Sequence, residues 1–252
     1  MNTRFKLGRQ ERKFNPNVKT LKAFFKHQPL PDAPATADWT DGKTDFGMML
    51  NDELGCCTCA AIYHARQVWT MNTSAESTEP DGEVLGLYEK ACGYVLLDDS
   101  TDQGGSMQDV LEYCMKTGMQ LSDGSVDKLL GFVEFDQTKM NEVKLAVSEF
   151  GVANIGIDIP KSVWGADGEP LAVWDYVVGS PIAGGHDIVA VGYDDDGLTV
   201  ISWGSLYKMT WAFYAKYCDE GYAMVDKNWV ESTGKTPLGV SLGDLEEIMK
   251  GL

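Results

Sequence analysis

The chain has 252 residues, 44% hydrophobic and 10% aromatic, enough to bury a substantial core as one large domain or two small ones. No apolar run reaches the ~18–20 residues of a membrane span, and the basic start MNTRFKLGRQERKF lacks a secretory signal's apolar stretch, so a reducing cytosolic setting is expected. The net charge of −17 is uneven: residues 1–27 carry eight basic side chains against Glu11, and the remaining 225 residues hold −24, a body that repels nucleic acid and anionic membranes, so neither is expected as a partner.

In chain order, the first element is the basic arm with Arg4, Lys6, Arg9, Arg12, Lys13, Lys19, Lys22 and Lys26. It reads either as a solvated terminus or as a segment lying on the acidic body of its own or a neighbouring subunit, which would give a homo-oligomer. A Pro-rich linker, QPLPDAPATADW, closes it, so residues 1–37 form arm and linker and the body begins near Asp38. From Cys57 to Met71, residues Ala60, Ala61, His64, Val68 and Met71 recur at helical spacing. A polar loop, a short helix through EVLGLYEKAC and the loop DDSTDQGG follow. The segment SMQDVLEYCMKTGM then reads as a helix with Ser106 as N-cap and Gly118 near its end.

The second half changes character. LLGFVEFD, VANIGIDI and GYAMVDKNWV read as strands, TKMNEVKLAVSEFG as a helix, and HDIVAVGYDDDGLTVISWG as a hairpin turning at DDDG. Asp194–Asp196 lack the alternating ligands of a calcium loop, so no metal site is expected there. Helices precede strands, the mark of an α+β chain with two unlike halves. A cleft between such halves is a common place for a site.

Three of the six cysteines fall within MMLNDELGCCTCAAIYHA. A thiol is nucleophilic as thiolate, and a helix start lowers its pKa from roughly 8.5. Cys57 opens the helix; Cys59 lies half a turn further in. Asn51, six residues before Cys57, could join the Cys57 N–H in holding an oxyanion, whereas Glu53, six before Cys59, could not. Cys56 and Cys59 also form a C-x-x-C, open to a redox reading, and buried thiols without chemistry remain the bland account of both. Zinc would need further ligands at suitable spacing; no cofactor is expected. As base, His64 stands about 10 Å along the helix axis from Cys57, too far for a hydrogen bond. His186, opening a strand after two glycines, is the better candidate; His27 sits in the arm.

Four blocks in order make the body resemble the papain family of cysteine peptidases over roughly residues 31–231: LPDAPATADW, DQGGSMQDVLEYCMKTGM, HDIVAVGYDDDG and ISWG…EGYAMV. The eighteen-residue interval from Trp39 to Cys57 matches the family without a gap and places Asn51 at its oxyanion glutamine. NDELGCCT is also similar to an Asn-Asp-x-x-Gly-x-Cys-Thr pattern of uncharacterised bacterial and bacteriophage proteins. The resemblance implies a two-lobed fold, a helical lobe at about 38–128 and an antiparallel β-rich lobe at about 129–252. It implies a peptide or protein substrate, with Cys57 and His186 as catalytic dyad, Asn51 at the oxyanion, Gly104 and Gly105 along the substrate backbone, and Trp203 shielding the histidine.

Departures from the pattern shape the expectation. Ile201 stands where the family orients its histidine with asparagine, so slow turnover is expected unless Asp187 or Ser202 takes that role. Leu54 and Asp102 stand where a family disulfide would close. The expected function is a thiol hydrolase, a cysteine endopeptidase of the cytoplasm (or of a virion, if phage-encoded). The alternatives are a catalytically degenerate papain fold used for binding or particle assembly, and a Cys–His amidase or deamidase.

Overall fold

The computed structural model describes residues 5–24 and 29–233; His27 lies outside them. The first half supplies α1 (Leu21–Phe24), β1 (Ala37–Asp38), α2 (Cys57–Thr73), α3 (Asp81–Cys92), α4 (Met107–Lys116), β2 (Met119–Gln120) and β3 (Val126–Asp127). The second supplies β4 (Leu129–Glu134), α5 (Met140–Phe150), β5 (Ala153–Pro160), β6 (Val173–Trp174), β7 (Ile182–Tyr193), β8 (Gly197–Ser202) and β9 (Ser205–Thr210). It ends with α6 (Trp211–Tyr217), β10 (Cys218–Asp226) and α7 (Lys227–Thr233). This is the expected α+β architecture.

One sheet organises the molecule, in the order β4-β10-β5-β7-β8-β9-β6, with β1 added alongside β7. Its pairs are antiparallel except β6 with β9. Strand side chains alternate between faces, and the two faces carry different cores. Val189, Val191, Ile201, Tyr222 and Met224 pack with α2, α3 and α4; Ile188, Ala190, Val200, Ala223 and Val225 pack with α5 and α6 on the other side. The longest helix among the described residues, α2, packs against β7, which sets its first residue beside the middle of that strand.

Caps follow the sequence. Ser106 accepts from Asp109 N at the start of α4, and Gly118, with φ 101°, follows that helix in a conformation glycine tolerates. The DDDG turn joins β7 to β8, Asp194 Oδ1 accepting from Asp196 N and Gly197 N. One expectation is corrected: KNWV does not extend the last strand. Asp226 Oδ1 accepts from Trp229 N, an N-cap-like bond that turns the chain into α7 and seats Trp229 against Trp39, ring centroids 4.9 Å apart.

Candidate active site

Cys57 is the first residue of α2, and no side chain caps that helix end, so its N-terminal N–H groups favour negative charge at the sulfur. The loop before it is fixed from behind. Gly55 N donates to both Asp102 carboxylate oxygens, at 3.0 and 3.3 Å. Tyr88 Oη donates to Asp102 Oδ1 at 2.6 Å and accepts from Gly104 N at 2.9 Å. A hydrogen-bonded bridge thus joins the cysteine loop to the Gly104–Gly105 loop at the place where the resemblance puts a disulfide. All six cysteines are free.

His186 does not open its strand as expected: β7 begins at Ile182, ahead of the two glycines, and His186 is its fifth residue, opposite Ile157 of β5. Its Nε2 is 2.9 Å from Ser202 Oγ, and its ring stacks on Trp203, centroids 4.5 Å apart and planes 17° off parallel. Trp203 is itself packed by Phe5, Trp164 and Trp174. Nδ1 has no hydrogen-bond partner, leaving it free for a proton. Backbone hydrogen bonds from Asp187, the next residue, and from Gly8 reach the Cys57 sulfur, which places Cys57 against the middle of β7. Of the two side chains offered as substitutes for the missing amide, Ser202 reaches the ring. The Asp187 carboxyl is buried; burial, then the charge of Glu220, pushes its pKa well up against hydrogen bonds from the Asn154 side chain and the Ile188 backbone.

The cleft is occupied by the chain's own arm. Lys6 N donates to Asn51 O at 2.9 Å and Trp203 Nε1 to Lys6 O at 3.1 Å. Gly105 N donates to Gly8 O at 2.8 Å, Gln10 N to Gly105 O at 2.9 Å, and Arg9 N to Gly185 O at 3.1 Å. Residues 6–10 therefore run extended between the Gly105 wall and the β7 wall, parallel to the Gly105 segment. Close approach demands glycine here: a Cβ on Gly8 would overlap the Gly55 carbonyl, and one on Gly104 (φ +73°) the Gly8 carbonyl.

Arg9 drives its side chain, 1% exposed, between three carboxylates: Asp158 at 3.1 Å, Asp219 at 2.9 Å and Glu220 at 3.2 Å. These were not legible as a group in the sequence. They come from β5 and from a bulge in β10, and only the pairing register brings them together.

The arm covers both Cys57 and His186, and burial disfavours the charged form of each. Cys57 and His186 are each 1% exposed. Burial, with the charge of Asp187 adding to it, pushes the Cys57 thiol up to about 12 against the two backbone hydrogen bonds and Arg9. Burial, helped by the charges of Arg9 and His64, lowers His186 to about 3.

The remaining candidates are placed as follows. Asn51 is buried beside the arm, its Nδ2 donating to Leu54 O at 3.3 Å. Gly105 pairs its backbone with an extended peptide, and Gly104 lies under the same segment. Cys56 Sγ donates to Met49 O, while Cys59 Sγ lies 3.9 Å from Cys92 Sγ. His64 bonds Gly47 O at 2.9 Å, burial lowering it to about 4. Among the described residues no group of three or more His, Cys, Asp or Glu is arranged to hold a metal ion, and no helix is long and apolar enough to cross a membrane.

No protein-family model matches the sequence, and no curated protein is similar to it in sequence. Solved structures are similar in fold. Xylellain, a cysteine protease from Xylella fastidiosa, superposes with a TM-score of 0.68 at 14% identity, over 90% of this chain and 98% of that one. The ragweed pollen cysteine protease Amb a 11, in its proform, gives 0.59 at 14% identity over 81% and 70%. The Carica candamarcensis cysteine protease CMS1MS2 gives 0.54 at 15% identity over 77% and 99%. The chain has the fold of the papain-like cysteine proteases.

Proposed function

We propose that this papain-like fold is a thiol hydrolase acting on peptide bonds, held closed by its own N-terminal arm. The observation that carries the reading is the arm itself: an extended peptide lies over Cys57, its backbone paired to Gly105 and Gly185. In the open state Cys57 gives its proton to His186 Nδ1 and its sulfur attacks the substrate carbonyl carbon. The Cys57 N–H and the second N–H of the Asn51 amide hold the oxyanion. Collapse breaks the C–N bond, and the amine leaves with the proton from His186. Water, deprotonated by His186, then cleaves the thioester and regenerates the thiol. Ser202 holds the far nitrogen of the ring and Trp203 covers its face.

Iodoacetamide labelling read peptide by peptide tests this on the native chain, Gly8→Ala, and Gly8→Ala with His186→Ala. The native thiol should label slowly at pH 7. In Gly8→Ala, Cys57 should label fastest of the cysteines, well below pH 8, and lose that with His186→Ala. The reading is overturned if trypsin shows the arm released while Cys57 labels no faster than an ordinary thiol of pKa roughly 8.5.

A second reading, a closed papain fold used for binding or assembly, is favoured by the depth of the arm's seat: Gly8 is wedged between Gly55 and Gly104. Amidase or deamidase chemistry would use the same nucleophile and base, and substrate profiling separates it from peptidase activity.

A further inference from the structure

The Arg9 seat is built rather than incidental. In an ordinary strand Asp219 and Glu220 would point to opposite faces. Here the register of β10 on β5 shifts between Cys218 and Glu220, which pair with Ile157 and Gly156, so Asp219 is the extra residue of a bulge. Bulges re-aim side chains, and this one lets both carboxylates converge on one guanidinium, with Asp158 completing the set from β5. The floor is cut for a long side chain. A Cβ on Gly156 would come within 2.8 Å of both Arg9 Cδ and Met107 Sδ. The carboxylates also differ in exposure: Glu220 is 1% exposed, while Asp158 and Asp219 are 49% and 44% exposed.

Three carboxylates against one guanidinium exceed what a single latch contact needs. If the arm leaves, Glu220 keeps Tyr222 Oη, 2.7 Å away, as its remaining hydrogen-bond donor among the described contacts. Three carboxylates converging in one recess without a cation repel one another, so the vacated pocket favours another cation. Arginine suits it best, because its fork of donors can reach several carboxylates at once.

We propose that Asp158, Asp219 and Glu220 form a specificity subsite for a basic side chain, arginine ahead of lysine, on the substrate residue that pairs with Gly105. This rests on the thiol-hydrolase reading above and names its substrate class. The arm's Arg9 occupies the subsite in place of that residue and closes the enzyme with the feature the substrate would present.

The test uses the full chain with Gly8→Ala and peptidyl fluoromethyl ketones carrying arginine, citrulline or leucine in the second place before the electrophilic carbon. That place precedes the residue at the sulfur, whereas Arg9 follows Gly8, so a reagent that puts its side chain in the Arg9 seat runs through the cleft in the direction opposite to the arm. The arginine reagent should modify Cys57 at least tenfold faster than the citrulline and leucine reagents. Glu220→Gln should erase most of that ratio, and Asp219→Asn, on the exposed bulge, should reduce it where Glu220→Gln fails to fold. Equal rates for the three reagents, in a protein whose Cys57 labels rapidly with iodoacetamide, overturn the subsite and leave the hydrolase reading standing. If Cys57 is inert to every reagent, the hydrolase reading fails, and fluorescence-polarisation affinities of the same peptides without the reactive group decide the subsite. A tenfold preference for arginine supports it; no preference overturns it.

Discussion

Ser202 Oγ lies 2.9 Å from His186 Nε2, while Ile201, one residue earlier, points through the sheet into the core under α2. The strand's two-residue period thus decides which side chain meets the imidazole. Replacing Ser202 by alanine in the arm-released protein should lower turnover roughly 10- to 100-fold, less than the ~10⁴ lost when a serine triad's charged orienting group is altered. Ile201→Asn should not raise it, because the new amide would face apolar side chains at a cost of about 2–5 kcal/mol in stability. A gain in turnover from Ile201→Asn would show that the amide can reach the ring.

The arm's latch should weaken in acid. Burial raises the pKa of both Asp158 and Glu220, and the charge of Arg9 opposes that rise. The charge of Arg9, the part of that balance which leaves with the arm, lowers both pKa values, so protonation of these carboxylates and their ion pairing with Arg9 are antagonistic. The latch is complete while these groups are ionised and loosens as pH falls toward and into the ordinary carboxylate range of about 4. Hydrogen exchange at Arg9 N and Gln10 N should rise from pH 7 to pH 4.5 relative to the α2 amides, once corrected for intrinsic rates. Unchanged protection would place the latch in the backbone bonds alone.

Removing Asp102 should loosen both sides of the cleft. Asp102→Ala leaves Gly55 N and Tyr88 Oη without their acceptor, which should cost about 1–3 kcal/mol, read as a lower urea midpoint at unchanged slope. Because Tyr88 also holds Gly104, exchange should quicken at Gly104 N and Gly105 N. Loss of stability without that change would mean the bridge does not carry across the cleft.

Two buried neutral histidines set part of the acid stability. The folded pKa values, about 4 for His64 and about 3 for His186, lie below the ordinary value of about 6.5. Their contribution is therefore complete above pH ~6.5 and is lost as pH falls toward the folded values, at about 1.4 kcal/mol per pH unit for each group. Asp226, pushed up to about 6 by burial, works in the opposite sense, so the informative quantity is a difference. His64→Gln should flatten the stability profile between pH 6.5 and 4 by about one proton's slope; parallel profiles would assign the loss elsewhere.

What the sequence disclosed depended on how local the signal was. The 3.6-residue pattern from Cys57 and the alternation in IVAVGY each depend on neighbours a few positions apart, so the helix with its leading cysteine and the strand that carries the histidine were legible, although that strand begins four residues earlier, at Ile182. The end of β10 was misread because VDKNWV carries strand-forming residues, while Asp226 caps a helix that only its bond to Trp229 N reveals. The Arg9 pocket was illegible because Arg9, Asp158 and Glu220 meet through a register set about 60 to 210 residues away in sequence. The arm's glycine looked like one more flexible position. Its role appears once Gly55 and Gly104 are seen on either side of it.

The docked arm and the body are one covalent chain, joined through the segment between Arg12 and Ala37. A tethered segment of this length meets its own cleft at an effective concentration of roughly millimolar. A free peptide of equal intrinsic affinity must approach that concentration to displace it, so the closed form resists casual competitors. One cut in the connecting segment would change the arithmetic without altering a single contact in the cleft. The arm would then be held only by its own dissociation constant, and dilution alone would empty the site.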